Sequence, residues 1–327
     1  MRRLLPLFWI LLGFIGGYLA RGRQRPVVST PAVAPTVLVA PPSVTEGGDA
    51  DKQPDLPSTR EVAIEEVLAL ARAALENMTS NVDDYTAVMG KHEQDRNGVL
   101  QPPSEMFMKV MTRHRGGEPG QNLKAYLRFE SPENVRGREV IWVEGENNGK
   151  LLVREAGLVG AMMTASVDPN GMMAMRGQRY PISELGLTNL ITKLIEHGES
   201  IQSQLRSDAQ TDGDAPTDGN APTSGNNSQA VTVTMSTGLA DQVDGQTLIQ
   251  IQKTQPDGTE DDFSLAEVVI DLERQLVLEF RSFGWAEVES DPPPLIESYQ
   301  YRDVKCNVGL TDDDFDTQNP EYTFKKT

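Results

Sequence analysis

The sequence predicts an α+β domain, mostly antiparallel β, with two amphipathic helices packed on the apolar face of the sheet and a membrane anchor at the N-terminus. Three patterns predict it. Leu123, Ala125, Leu127 and Phe129 alternate with Lys124, Tyr126, Arg128 and Glu130, the period of a strand with one buried and one wet face. Ile64, Val67, Leu68, Ala71, Ala74, Leu75 and Met78 fall on one stripe of a helix. An apolar run covers residues 4–20 behind Arg2 and Arg3.

That run is at the short end for a spanning helix and also suits the apolar core of a signal peptide. Cleavage after Ala20 would put Tyr18 where a small residue is wanted, which favours a retained single-pass anchor. Arg21, Arg23 and Arg25 outnumber Arg2 and Arg3, and by the positive-inside tendency they argue for a cytoplasmic domain. The signal-like layout and the long polar linker argue the other way. The expectation is an extracytoplasmic, periplasmic domain held at a membrane.

Residues 26–57 are rich in Pro, Val, Ala, Ser and Asp without helical or strand period, and read as a disordered tether. Order is expected over residues 58–327. Ser58 and Glu61 have capping-box spacing at the head of the first helix. Asn148-Gly149 is a hairpin signal joining 139–145 to 150–155. Further strands are expected at 230–237, 246–253, 264–272, 275–283 and 295–307. A second helix carries the stripe Leu187, Leu190, Ile191, Leu194 and Ile195, with Ser183 as its cap and Gly198 weakening or ending it. Residues 207–228 hold an imperfect hexapeptide repeat without large apolar residues, read as a disordered surface loop.

The chain of 327 residues has 30 basic and 48 acidic residues, a net charge of −18. The first 25 residues contain five arginines and no acid, so the remainder carries 25 − 48 = −23. A body so acidic repels nucleic acid, and no basic stripe with interleaved aromatics reverses that.

Little points to catalysis. His92, His114 and His197 are scattered, and the single cysteine, Cys306, has no CxxC companion. There is no nucleophile elbow, phosphate loop or zinc-binding histidine motif. Asp312, Asp314 and Asp316 have the opening spacing of a calcium loop, but Thr317 and Thr323 stand where its glycine and closing glutamate belong. A solvated turn or the acidic start of a short helix is expected instead. No metal or cofactor follows from these residues.

The more suggestive residues are apolar. Met162, Met163, Met172, Met173 and Met175 crowd one segment, and flexible thioethers can line or cover an adaptable pocket. Arg176, Arg179 and Tyr180 come next and can either grip a carboxylate or phosphate at a pocket mouth or pair with the many acids of the chain. Trp142, in the expected strand before Asn148-Gly149, completes the candidate ligand-binding set.

Three runs carry a family resemblance: 136–155 (RGREVIWVEGENNGKLLVRE), 168–186 (DPNGMMAMRGQRYPISELG) and 301–316 (YRDVKCNVGLTDDDFD). They resemble the bacterial domain of unknown function 1571 family, over roughly residues 62–324 apart from the repeat. A wider likeness rests on 304–315, a strand ending at Asn307 followed by Gly309-Leu310 and Phe315. It is similar to the last strand of periplasmic lipoprotein-carrier domains of the LolA and RseB type. That likeness implies an open antiparallel half-barrel around helices, whose concave face holds acyl chains. The resulting expectation is a binding module for a lipid, acyl chain or lipoprotein, and not an enzyme. The alternatives are an envelope interaction or sensing module without a small ligand, and a hydrolase built on scattered carboxylates.

Overall fold

Among the described residues, twelve antiparallel strands form one open sheet in the order β1-β8-β9-β10-β11-β12-β2-β3-β4-β5-β6-β7, with β1 and β7 at its two ends. The computed structural model describes residues 58–156, 164–211 (208–211 in backbone only), 231–238, 245–259, 262–288 and 290–324. The strands are β1 (Ser58–Glu61), β2 (Asp84–Glu93), β3 (Ser104–Met111), β4 (Lys124–Ser131), β5 (Glu139–Val143), β6 (Leu151–Arg154), β7 (Thr164–Val167), β8 (Val231–Thr237), β9 (Gln246–Lys253), β10 (Leu265–Asp271), β11 (Leu276–Phe283) and β12 (Leu295–Cys306). Two α-helices accompany them among the described residues, α1 (Ile64–Asn81) and α2 (Leu187–Thr211). The expected anchor, tether and repeat core, together with Met162 and Met163, lie outside the described residues.

Every later strand expected from alternation is present within a residue or two of its anticipated limits. The hairpin signal joins β5 to β6 as anticipated, with Asn147 and Asn148 at φ 47° and 56°. Asn tolerates this left-handed region better than other non-glycine residues.

Both helices pack on one sheet face. Leu68, Ala74 and Met78 of α1 and Leu187, Ile191 and Ile195 of α2 share one buried cluster with Tyr85, Met89, Met106, Met108 and Trp142. The anticipated stripes are therefore the packed stripes. The helices cross closely at Gly198, where an added Cβ would come within 2.8 Å of Leu68 Cδ2.

Several local expectations are overturned. Ser58 and Glu61 form no capping box. They belong to β1, which pairs with β8, and Ser58 Oγ bonds Thr237 Oγ1 at 2.9 Å. Sheet pairing satisfies the backbone groups a cap would have served, and α1 starts behind Ala63 with no side-chain cap. Ser183 lies in a 3-10 turn, Ile182–Glu184, ahead of the helix. Gly198 does not end α2, which continues to Thr211, because its missing side chain is what admits Leu68. The helix thus takes in the first residues assigned to the repeat loop.

Tyr126 does not face water. On the sheet face opposite the helices, it packs with Ile141, Val143, Phe315, Tyr322 and Phe324. The chain after β12 turns back over that face. Asp84 accepts the Val308, Gly309 and Leu310 N–H groups at 2.7, 3.2 and 3.1 Å. A 3-10 turn, Asp312–Phe315, follows with a Thr311–Asp314 capping box, the acidic helical start anticipated for this run.

Candidate ligand-binding site

The helix-bearing face is apolar in the middle and polar towards both strand ends. At one end Glu297 and Glu93 stand opposite each other in the β12–β2 register, 5% and 3% exposed. Residues 178–180 come down on them. Arg179 N–H donates to Glu93 Oε1 at 3.0 Å, and Tyr180 Oη donates to Glu297 Oε1 at 3.4 Å. Arg179 Nε lies 3.7 Å from Glu297 Oε2. Lys91 Nζ lies 3.0 Å from Glu93 Oε1 and also donates to Gln178. Tyr299 Oη donates to Glu93 Oε2, and Lys193 of α2 caps the Tyr180 ring at 3.7 Å from its centroid.

Burial raises the Glu297 carboxyl above the ordinary range; Arg179 and Tyr180 oppose the shift and Glu93 reinforces it. Two acids converge here, as a hydrolase site would require. The void beside them, lined by Arg179, His197, Phe280 and Glu297, is only about 10 Å³, room for one water and no substrate. The group is a fastening that pins the approach to α2.

At the other end a cavity of about 120 Å³ lies between β2, β3, the residues before β4 and the first turns of α2. Tyr85, Val110, Thr112, Leu123, Gly186 and Leu187 form its buried floor, and His114, Thr188, Asn189 and Thr192 its half-exposed rim. Arg113, also on the wall, is held by Glu144 through Nε and Nη2 at 2.8 and 3.1 Å. Tyr85 Oη accepts the Leu187 N–H at 3.1 Å. Gly186, at φ 109°, would bring a Cβ within 2.9 Å of that oxygen, so glycine suits the site both in backbone angle and in space.

The candidate residues read from sequence disperse. Trp142 is buried on the helix-bearing face, its Nε1 donating to the Gly149 carbonyl at 3.2 Å. Met172 and Met173 are 89% and 71% exposed, Met175 is half-buried and Arg176 exposed. Arg179 and Tyr180 meet internal carboxylates, the second of the two roles open to them. Sequence reading passed over Tyr85, Glu93 and Glu297. Their signal was a polar group in the buried phase of a strand: Tyr85, Ala87, Met89, Lys91 and Glu93 alternate along β2, and Glu297, Tyr299 and Tyr301 along β12.

The family profile described as a protein of unknown function, DUF1571, matches residues 82–324, most of the chain. The chain belongs to the DUF1571 family. The match spans β2 to the C-terminal strap and so takes in both the carboxylate fastening and the cavity of this DUF1571 domain. No curated protein matches the sequence. Among solved structures, the chain is similar to a DUF1329 family protein from Desulfovibrio piger, at 12% identity and TM-score 0.33 over 77% of this chain and 97% of that one. It is also similar to a putative outer membrane lipoprotein-sorting protein domain from Vibrio parahaemolyticus, at 12% identity and TM-score 0.31 over 78% and 97% of the two chains. A LolA superfamily protein from Nitrosomonas europaea gives 10% identity and TM-score 0.27 over 78% and 98%. Superpositions at these scores carry no argument about ligand or site.

Proposed function

We propose that this DUF1571 domain is an envelope-located binding module for an acyl chain, as carried by a lipid or a lipoprotein, and that the chain lies on the sheet face covered by α2. The observation behind the reading is the make-up of that face. Met89, Met106 and Met108 on adjacent strands and Met78 of α1 belong to one buried cluster. Thioether side chains repack around irregular apolar shapes at small cost. Each buried methylene of a ligand contributes about 0.8 kcal/mol, so such a face binds without any catalytic group.

A cavity of about 120 Å³ is smaller than the roughly 300–1,000 Å³ of a pocket for a drug-sized ligand. An acyl chain on this face therefore needs room that the side chains now filling it have to give up. Location outside the cytoplasm and retention by residues 4–20 rest on the sequence alone. The test is native mass spectrometry of residues 58–327, which contain every described element, purified without detergent exchange. A bound mass that extracts into organic solvent supports the reading; a bare protein that also takes up no added fatty acid or lipoprotein overturns it.

A second reading, an interaction module without a small ligand, is favoured by the adjacent exposed side chains of Met172 and Met173. It predicts the bare mass in the same experiment.

A further inference from the structure

Of the seven large apolar side chains exposed among the described residues, four stand in two adjoining loops: Val99 and Leu100 between β2 and β3, and Met172 and Met173 after β7. Val99 is 56% and Leu100 45% exposed. Each loop is closed by its own turn. Asp95 Oδ1 accepts the Asn97 and Val99 amides at 2.9 and 3.1 Å, Gln101 Nε2 donates to Asp95 Oδ2 at 3.2 Å, and Gly98 takes φ 76° to complete the reversal. In the second loop Asp168 Oδ1 accepts the Asn170 amide at 2.9 Å, and the Asp168 carbonyl accepts the Gly171 N–H at 3.0 Å. Arg96 ties the loops together, its Nε donating to the Arg179 carbonyl at 3.3 Å. Gly177 lies against Gln101, where an added Cβ would come within 3.0 Å of Oε1.

The charges at these loops run against those of the chain. Beyond its first 25 residues the chain carries 25 − 48 = −23. Arg96 and Arg176 are nevertheless exposed, and neither is ion-paired among the described residues. The acids of the same loops, Asp95 and Asp168, are half-buried and turned to their own backbone. The β11–β12 connection, at the same strand ends, carries exposed Glu287 and Asp291, so an anionic surface is favoured at the two loops and opposed beside them. Exposed apolar side chains with a polar rim mark a protein or membrane contact. Flexible thioethers at a turn need no fitted partner to bury themselves in a lipid interface, and unpaired arginines are drawn to anionic headgroups.

We propose that Val99, Leu100, Met172 and Met173 form a point of contact with an anionic bilayer surface, entering its headgroup layer while Arg96 and Arg176 meet the lipid phosphates. Residues 26–57, a stretch of 57 − 25 = 32 residues, span up to about 100 Å when extended, so an anchor at 4–20 leaves this end of the domain free to reach the bilayer. The inference concerns how the domain is oriented at the membrane and stands whether or not the sheet face holds an acyl chain.

The experiment places the full chain in nanodiscs containing phosphatidylglycerol and lipids with nitroxide-labelled acyl chains. One environment-sensitive dye is attached in a Cys306→Ala background through Met172→Cys, Val99→Cys or Glu273→Cys. Glu273 is exposed in the β10–β11 turn, at the opposite strand ends. Emission at 172 and 99 should shift to the blue and be quenched severalfold more than at 273. With the dye at 99, the pair Met172→Gln and Met173→Gln should bring quenching down towards the 273 level. The pair Arg96→Gln and Arg176→Gln should do the same, with circular dichroism unchanged in both. Equal quenching at 172 and 273, or quenching at 99 that survives both pairs, overturns the contact. Either result leaves the acyl-chain reading standing, because the bound mass that tests it does not depend on these loops.

Discussion

Glu297 and Glu93 are cross-strand neighbours on β12 and β2, and both are more than nine-tenths buried. Burial raises the Glu297 carboxyl above its ordinary range. An acid bound more tightly to its proton in the folded state adds stability that is fully present below the ordinary glutamate pKa. That stability is lost as pH rises through the elevated folded value. Glu297→Gln removes the charge that burial opposes and keeps the shape, so it should raise the melting temperature near pH 8 by a few degrees, on the order of 1 kcal/mol. The gain should vanish near pH 4, about where glutamate is half protonated in water. Scanning calorimetry of both proteins across this range checks it. A variant less stable than the wild type at pH 8 would mean that the Arg179 ion pair outweighs desolvation.

Gly198 and Leu68 fix the approach of the two helices. Replacing a helical glycine by alanine ordinarily gains about 1 kcal/mol. Here the new Cβ would lie 2.8 Å from Leu68 Cδ2 and 3.4 Å from Cγ, and Leu68 is itself 1% exposed, so displacing it disturbs the core packed around it. Gly198→Ala should therefore cost about 1–3 kcal/mol through overpacking. Urea titration of Gly198→Ala, Leu68→Val and the double variant forms the test. The double variant should be more stable than the sum of the single effects, and simple additivity would show that the helices do not touch there.

Lys253 is buried between Asp257 and Asp262, at 2.6 and 3.0 Å. Burial acts to raise the Asp257 carboxyl, but the bonds from Lys253 and Thr259 outweigh it and hold the group well below the carboxylate range. A depressed carboxylate contributes stability above its unfolded pKa that is lost as pH falls through its folded one. Lys253→Met strands two acids and should cost about 3–5 kcal/mol at neutral pH. The deficit should shrink in acid as the carboxylates protonate, and a deficit constant with pH, followed by urea midpoints, would place its origin in packing instead.

The β10–β11 pair was legible from period two because one face of each strand is dry along its length. The helix stripes were legible for the same reason. Failures cluster where a second surface intervenes. Tyr126 sits in the wet phase of its strand, yet a segment almost two hundred residues later covers it, and no local period reports that. The capping box at Ser58 was locally sound and lost to pairing with β8, a long-range contact. The candidate site was less legible than the fold. Arg179 and Tyr180 were recognised as a polar unit, but their partners Glu93 and Glu297 come from strands far away in sequence, as does the cavity around Tyr85. The 304–315 motif turned out to be architectural: Asn307 closes the strand end by accepting from Asp83 N–H at 2.9 Å, and Leu310 and Phe315 cover the outer face.

That outer cover makes a separate prediction. Tyr322 stacks on Tyr126 with ring centroids 4.1 Å apart and planes 7° from parallel, and Lys109 lies 5.2 Å from the Tyr322 ring centroid. Beneath them Glu139 accepts from Tyr126 Oη at 3.0 Å and from the Thr323 amide and hydroxyl at 2.8 and 2.6 Å. The strap is thus held by apolar contact and by a buried carboxylate whose partners it supplies. Tyr322→Ala removes the stacked ring and loosens Thr323, and should cost about 2–4 kcal/mol. Thr323→Val keeps the amide donor and should cost only about 1 kcal/mol. Because the strap touches β3, β4 and β5 on the face away from the helices, hydrogen exchange should accelerate in β4 and β5 while α1 and α2 keep their protection. Equal acceleration in α1 would show that the two faces of the sheet unfold as one unit, and the strap would then be part of the main core rather than a cover over it.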